Sequence, residues 1–219
     1  MSDAPQNPVL ILHGITMNRQ FMSGIACHLK RKGREVINIS YPSRAKGFEE
    51  LCDEFVKPAI DSSKTGKVDA VVHSMGGLLL RLYAEKYGTA KIGRAVMIAT
   101  PNHGSEVADY LRPIGAYKWY HGEAGQNLGT TKEDMPGRLK DKIEFDCGVI
   151  AGNNRWFHAP TTLLAKIPLP NDGIVSVAST KIAGMKDHVE VWGDHTLMCW
   201  MPSVWKLAST YLAKGSFKE

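Results

Sequence analysis

The chain has 219 residues, 43% of them hydrophobic and 22% charged, with a formal net charge of +5. That length suits one domain spanning 1–219 and buries enough surface to fold without disulfides or metal. No apolar stretch reaches the roughly 20 residues of a membrane span, which excludes stable membrane insertion by a helix, and no internal repeat or low-complexity tract is present.

The elements read as follows along the chain. Met1–Pro8 has neither a basic n-region nor an apolar h-region, so a cytoplasmic protein is the default expectation, although a mature secreted form would read the same. Val9–Leu12 is a continuous apolar run ending at His13-Gly14, the pattern of a strand covered on both faces. A helix is predicted over 18–32, ended by Gly33. Its Lys30-Arg31-Lys32 cluster is read as a solvated helix face in preference to a contact with nucleic acid or anionic lipid headgroups. A strand over 35–41 stops at Pro42, and a helix over 48–62 follows, anchored by Leu51, Phe55 and Val56. Val68–His73 is a third apolar run, residues 75–87 a helix ended by Gly88, and Ala95–Ala99 a further strand closed by Thr100-Pro101. Residues 102–145 lose this rhythm and are rich in glycine, proline and aromatics. An irregular lid or cap over about 105–145, or a surface cover for the sheet, is expected there. Cys147–Ala151 resumes the strands. A second irregular segment over 153–171 carries Trp156 and Phe157, and Ile174–Val177 is a short strand or a helix turn. Val189–Trp192 is a last strand, and 203–213 a helix with Val204, Ala208, Tyr211 and Leu212 on one face. Strands alternating with helices imply a parallel sheet covered on both sides. Cys27, Cys52, Cys147 and Cys199 form no C-x-x-C pair and are read as mostly buried free thiols.

The chemistry concentrates at Ser74. An apolar strand ends at His73, a serine follows, then Met75-Gly76-Gly77 and a helix. This is the layout of a nucleophile elbow, in which a strained turn lifts the hydroxyl above the sheet edge and sets a helix N-terminus beneath it. Val72 stands where the G-x-S-x-G pattern has its first glycine. Being β-branched, it requires a small residue facing it or a helix displaced outward. A serine needs a base, and the base needs an acid to hold its tautomer. In the elbow topology these follow in the order acid, then histidine. Asp172, in the turn Asn171-Asp172-Gly173, is the first candidate acid, although Asn-Asp-Gly is also plain turn chemistry. Asp187 and Asp194 are weaker. His195, just after the last strand, is the candidate base. His13 and His73 adjoin motif residues as loop supports, His103 comes too early in the chain, and His188 begins a strand. Backbone amides of Met75 and Ile15 are the candidate oxyanion donors, with Gly14 allowing close approach.

Five segments carry a family resemblance: Leu12-His13-Gly14-Ile15, His73–Gly77, Thr100–Asp109, Asn171–Val175 and Asp194-His195. In this order they resemble the α/β-hydrolase superfamily, in its compact bacterial lipase and esterase branch. The resemblance is close over 9–110 and looser over 146–212, and residues 111–145 match nothing. It implies a minimal α/β-hydrolase fold lacking the two leading strands, with six mostly parallel strands flanked by helices and a lid. It also implies a serine hydrolase cleaving carboxylic esters through a Ser74–His195–Asp172 triad and an acyl-enzyme, with Ile15 and Met75 holding the oxyanion. An acyltransferase or thioesterase could use the same triad, and a binding protein on the same fold is a third class. Tyr110, Tyr117, Trp119 and Trp156 suggest a pocket for a small-molecule ester with an apolar acyl or alkyl group. No H-E-x-x-H, C-x-x-C or glycine-rich phosphate loop appears, so neither a metal nor a cofactor is expected, and no nucleic-acid partner. Some lipases of this kind carry a structural calcium, but no ligands for one can be assigned.

Overall fold

The computed structural model describes residues 6–156 and 163–218, so Phe157 lies outside the described residues. Its described strands form one six-stranded sheet in which every pairing is parallel. The strands are β1 (Val9–Leu12), β2 (Val36–Asn38), β3 (Val68–His73), β4 (Ile92–Ile98), β5 (Asp146–Gly152) and β6 (Asp187–Val191), in the spatial order β2-β1-β3-β4-β5-β6. This is the minimal α/β-hydrolase sheet expected from the sequence.

The uninterrupted apolar runs are explained by coverage on both faces. Side chains alternate across a strand with period two. Leu10, Leu12, Ala70, Val72, Ala95 and Met97 enter one core, and Val9, Ile11, Val71, Val96 and Ile98 the other. The first core is closed by α2 (Phe48–Leu51), α3 (Lys57–Asp61) and α4 (Met75–Tyr87). The second is closed by α1 (Ser23–Arg31), through Ile25, Ala26 and Leu29, and by the C-terminal helix Pro202–Lys214, through Val204, Ala208, Tyr211 and Leu212. Cys52, Cys147 and Cys199 are buried and Cys27 is exposed, all as free thiols. Lys30, Arg31 and Lys32 are exposed at the end of α1. No helix among the described residues is long and apolar enough to cross a membrane.

Three expectations change. The second strand is only three residues long, because the chain leaves the sheet edge early to brace the turn after β1. There the Tyr41 amide donates to His13 Nε2 and Ser43 Oγ accepts from the Thr16 amide. The helix over 48–62 contains a π-helical turn, Cys52–Val56, before α3. Pro58 has no N–H to give and its ring disfavours the regular register, and the wider turn lets the Lys57 amide reach back to the Cys52 carbonyl. The segment 105–145 is helical rather than irregular, with α5 (Glu106–Leu111), α6 (Gly115–Gln126) and α7 (Met135–Arg138). Its prolines and glycines mark helix starts and a kink. Pro113 separates α5 from α6, Gly122 breaks α6 at φ 65°, and Pro136 opens α7. Ile174–Val177 leads into one helical turn, α8 (Val177–Thr180), and the C-terminal helix Pro202–Lys214 is α9.

The helix α4 approaches the sheet through two glycines. A Cβ on Gly76 would lie 2.8 Å from the Leu12 carbonyl oxygen and 2.9 Å from that of His13, and one on Gly77 would collide with the Thr100 side chain. Val72, two residues before the elbow serine, is fully buried in the core that α4 closes. Gly76→Ala should therefore lower stability. A backbone clash of this kind costs about 1–3 kcal/mol, more than the ~1 kcal/mol that alanine gains over glycine in a helix. Urea unfolding reads the difference.

Candidate active site

Parallel strands place their carboxyl ends along one edge, and the order β2-β1-β3 puts a crevice between β1 and β3, where the chain direction of the crossovers reverses. Backbone strain collects at this edge. Thr16, Ser74 and Ala99 have φ of 60°, 53° and 50°, and they follow β1, β3 and β4. Left-handed backbone at non-glycine residues costs of order 1–3 kcal/mol and needs support from its surroundings. For Ser74 that support is its amide donating to the Ile98 carbonyl at 2.9 Å and its carbonyl accepting from Gly77 at 3.0 Å. The serine thus stands at the apex between β3 and α4, as the elbow pattern predicts.

The structure brings Ser74, His195 and Asp172 together although 121 residues separate the first from the last in sequence. His195 Nε2 is 3.0 Å from Ser74 Oγ, and His195 Nδ1 is 2.8 Å from Asp172 Oδ2. A carboxylate only accepts, so Nδ1 carries the hydrogen and Nε2 presents its lone pair to the serine hydroxyl. Asp172 is fully buried, and its Oδ1 accepts from the Ile174 and Val175 amides at 3.0 and 2.7 Å. The Asn-Asp-Gly turn is real as well: Asn171 Oδ1 accepts from the Gly173 amide. The turn chemistry shapes the segment while the neighbouring carboxylate points at the histidine. The rivals face elsewhere. Asp187 accepts from Phe217 and Ser216, and Asp194 Oδ1 accepts from the Thr196 amide. His103 lies 3.5 Å from the exposed Asp141, and His188 sits 3.3 Å from Thr180 Oγ1.

The Ile15 and Met75 amides have no hydrogen-bond acceptor among the described residues. Met75 opens α4, so its N–H is one of the helix's free donors. The Ile15 loop is braced by His13, read from the sequence as a loop support, and by Tyr41 and Ser43, which the sequence does not disclose. His13 stacks on Tyr41 at 3.9 Å, donates from Nδ1 to the Gly14 carbonyl at 2.8 Å, and accepts from the Tyr41 amide at Nε2. The Tyr41 hydroxyl donates to the His13 carbonyl. Burial lowers the His13 pKa, against a smaller opposite pull from the Gly14 carbonyl, which suits a neutral ring with one donor and one acceptor. Behind the site, the buried Arg81 of α4 donates to the Asn102 carbonyl and side chain and to the Lys140 carbonyl, tying the turn after β4 to the chain that follows α7.

A cavity of about 320 Å³ opens beside Ser74 and His195. Its walls are mainly apolar, from Ile15, Val107, Leu111, Leu128 and Val175, with Tyr117 and His121 from α6. Of the four aromatic residues predicted to line a pocket, only Tyr117 does so. Tyr110, Trp119 and Trp156 are 42%, 80% and 84% exposed and lie outside the cavity walls. Residues four apart share a helix face and residues two apart do not. Tyr117 and His121 therefore reach the cavity, while Trp119 between them points to solvent. The i, i+4 spacings Tyr117/His121 and Val107/Leu111 are the sequence signal for these two helix faces. A larger, open groove of about 970 Å³ lies at the opposite end of the sheet, among Asn7, Arg34, Asp69 and Arg94, far from the serine. Among the described residues, no group of three or more His, Cys, Asp or Glu side chains is arranged to hold a metal ion.

His73 gives the site a pH signature. It is wholly buried, and burial, reinforced by the neighbouring His195, pushes its pKa from 6.5 down to about 3. Between these values the unfolded chain binds a proton that the folded protein refuses, so stability rises with pH across the interval. The contribution is complete above pH 6.5 and is lost progressively as pH falls toward 3. The melting temperature should drop between pH 6.5 and 4, and less steeply in a His73→Gln variant; differential scanning fluorimetry across that range checks both.

Comparison with known proteins agrees with this geometry. A family model described as the alpha/beta hydrolase fold matches residues 7–147. A triacylglycerol lipase of Pseudarthrobacter phenanthrenivorans is 27% identical over 126 residues, covering 51% of this chain and 38% of its own length. One from Burkholderia plantarii is also 27% identical over 126 residues, covering 51% and 34%. The chain thus spans little more than a third of the length of these curated relatives. Among solved structures, the mature form of Bacillus licheniformis lipase BlEst2 superposes with a TM-score of 0.67 at 18% identity, over 90% of this chain and 87% of that one. The lin2722 product of Listeria innocua superposes with a TM-score of 0.62 at 19% identity, over 94% and 93%. At such identities the structures speak to the fold, and they do so over nearly the whole chain. With the family model covering most of the sequence and the sheet, elbow and edge in their places, the chain belongs to the α/β-hydrolase fold family.

Proposed function

We propose that this chain is a serine hydrolase of carboxylic esters that works through an acyl-enzyme on Ser74. The observation that carries the reading is the unbroken line from Asp172 to His195 to Ser74, at 2.8 and 3.0 Å, beside two amides without acceptors. In this reading Ser74 Oγ attacks the ester carbonyl as its proton passes to His195 Nε2. Asp172 holds Nδ1–H and offsets the charge of the imidazolium. The carbonyl oxygen becomes negative between the Ile15 and Met75 N–H groups, each such donor contributing about 2.7–4 kcal/mol to the barrier reduction. His195 then gives its proton to the departing alkoxide. Water attacks the acyl-enzyme with the same histidine as base, releasing the acid and restoring Ser74.

The substrate side of the reading rests on the cavity. Its walls favour an apolar acyl or alkyl group, and its 320 Å³ lies near the lower end of the ~300–1,000 Å³ usual for small-molecule sites. The triacylglycerol lipase names of the curated relatives point the same way. In a series of p-nitrophenyl esters from acetate to palmitate, kcat/KM should rise to a short or medium chain and fall for palmitate. A profile that keeps rising to palmitate would contradict this account of the pocket, and no hydrolysis of any member would contradict the esterase reading.

A further inference from the structure

The residue before an elbow serine needs only to end its strand. In this chain it is a histidine with 0% exposure whose ring touches the three chain segments that meet at the site. Its Nε2 is 2.9 Å from the backbone carbonyl oxygen of His195, and its ring centroid is 5.1 Å from that of His195. A carbonyl only accepts, so Nε2 carries the hydrogen and donates. On the other side, Nδ1 has no hydrogen-bond partner among the described residues and lies against Gly14. A Cβ on Gly14 would come within 2.9 Å of Nδ1 and 3.2 Å of Ser74 Cβ. The next residue after Gly14 is Ile15, which carries one of the two free amides.

We propose that His73 is a positioning residue for the reaction assigned above, on which this inference rests: it sets His195 and the Gly14-Ile15 loop in fixed relation to Ser74. His195 sits between β6 and the 3-10 turn Leu197–Trp200, on a connection whose backbone no strand or helix holds. Its backbone is held from both sides instead, the amide donating to the Asp172 carbonyl at 3.0 Å and the carbonyl accepting from His73. The two side-chain bonds to Asp172 and Ser74 then orient a ring whose root is already placed. The opposite edge of the His73 ring limits how far Gly14 can move toward the serine, and so where the Ile15 amide points. The ring must be neutral for this. A second proton on Nδ1 would find no acceptor among the described residues and would place a positive charge 5.1 Å from the imidazolium that His195 becomes. Burial holds the ring in the neutral form, so it does not compete for the Ser74 proton. The alternative is a core histidine that merely fills space between β3 and Phe21, whose ring lies 6.2 Å away.

Two variants of nearly equal size separate these readings. Gln at position 73 can place an amide donor where Nε2 lies, and Met fills similar space with no donor. His73→Met should lower kcat for a p-nitrophenyl ester by roughly 10- to 100-fold with KM within about twofold, the signature of a misplaced catalytic group. His73→Gln should return kcat to within about fivefold of the unsubstituted protein. Equal kcat in the two variants, whether both high or both low, would overturn the proposal, since a space-filling role does not distinguish them. Should neither variant fold by circular dichroism, His73→Asn and His73→Leu replace them as the donor and the non-donor, and equal kcat in that pair overturns the proposal. If the unsubstituted protein and Ser74→Ala hydrolyse the ester alike, the failure belongs to the ester hydrolase reading and is recognised before position 73 is tested.

Discussion

Ser74→Ala is expected to lower kcat/KM for a p-nitrophenyl ester by roughly 10⁵- to 10⁶-fold, the scale seen when a triad serine is removed. The loss is chemical. The cavity walls are untouched, because Ser74 contributes only the edge of a space bounded by Ile15, Leu111, Leu128 and Val175. The fold is also untouched. Alanine retains the Cβ, the Ser74 amide still donates to Ile98, and the removed hydroxyl has His195 as its one hydrogen-bond partner among the described residues. Binding should persist, so the effect falls on kcat while KM moves little. A residual rate above the uncatalysed one remains, from the two amides and from binding. Steady-state kinetics with a folded variant reads this directly, and activity within tenfold of the original would remove Ser74 from the mechanism.

Asp172→Asn should cost roughly 10⁴-fold in kcat at neutral pH, through the tautomer of the base. Now His195 Nδ1 faces a carboxylate oxygen at 2.8 Å and must carry the hydrogen. An asparagine can turn its NH2 toward the ring and its oxygen toward the Ile174 and Val175 amides, whose donors already demand an acceptor at Oδ1. The ring then receives a hydrogen bond at Nδ1, its own hydrogen moves to Nε2, and Nε2 can no longer accept from Ser74. The two amides thus decide which way the asparagine faces, which makes the substitution more damaging here than at a carboxylate free to rotate. The stopped-assay rate at pH 7, compared with thermal unfolding of the same variant, separates this effect from loss of structure. A cost below tenfold would shift the acid's role to another carboxylate, with Asp194, buried beside the base, the first to test.

How far the sequence discloses this site depends on the range of each interaction. Ser74 is readable because the elbow is local: a strand, a turn and a helix start within ten residues, each with its own composition. His195 and Asp172 are readable because chain order and strand ends narrow the choice, even among eight histidines. The strands were legible because coverage on both faces leaves continuous apolar runs. Tyr41 and Ser43 were not legible as supports of the Ile15 loop. Their contacts span 27 or 28 residues and leave no pattern in either segment. The segment 105–145 hides its helices for the opposite reason. Its glycines and prolines are strong local signals, but at Pro113, Gly122 and Pro136 they punctuate helices rather than replace them. With the helices missed, the faces were missed too, so exposed Trp119 was expected in the pocket and His121 was not. His73 reads in sequence only as a loop support beside the motif serine; the segments it joins lie far apart in the chain, as for Tyr41.

The central claim is that Ser74 is the nucleophile, and covalent labelling tests it most directly. The intact protein is treated with a fluorophosphonate, its mass is measured, and the adduct is located by peptide mapping. The account predicts one adduct per chain, on Ser74, absent from Ser74→Ala and much slower to form in Asp172→Asn. No adduct on the active protein, or an adduct on another residue that persists in Ser74→Ala, would contradict it.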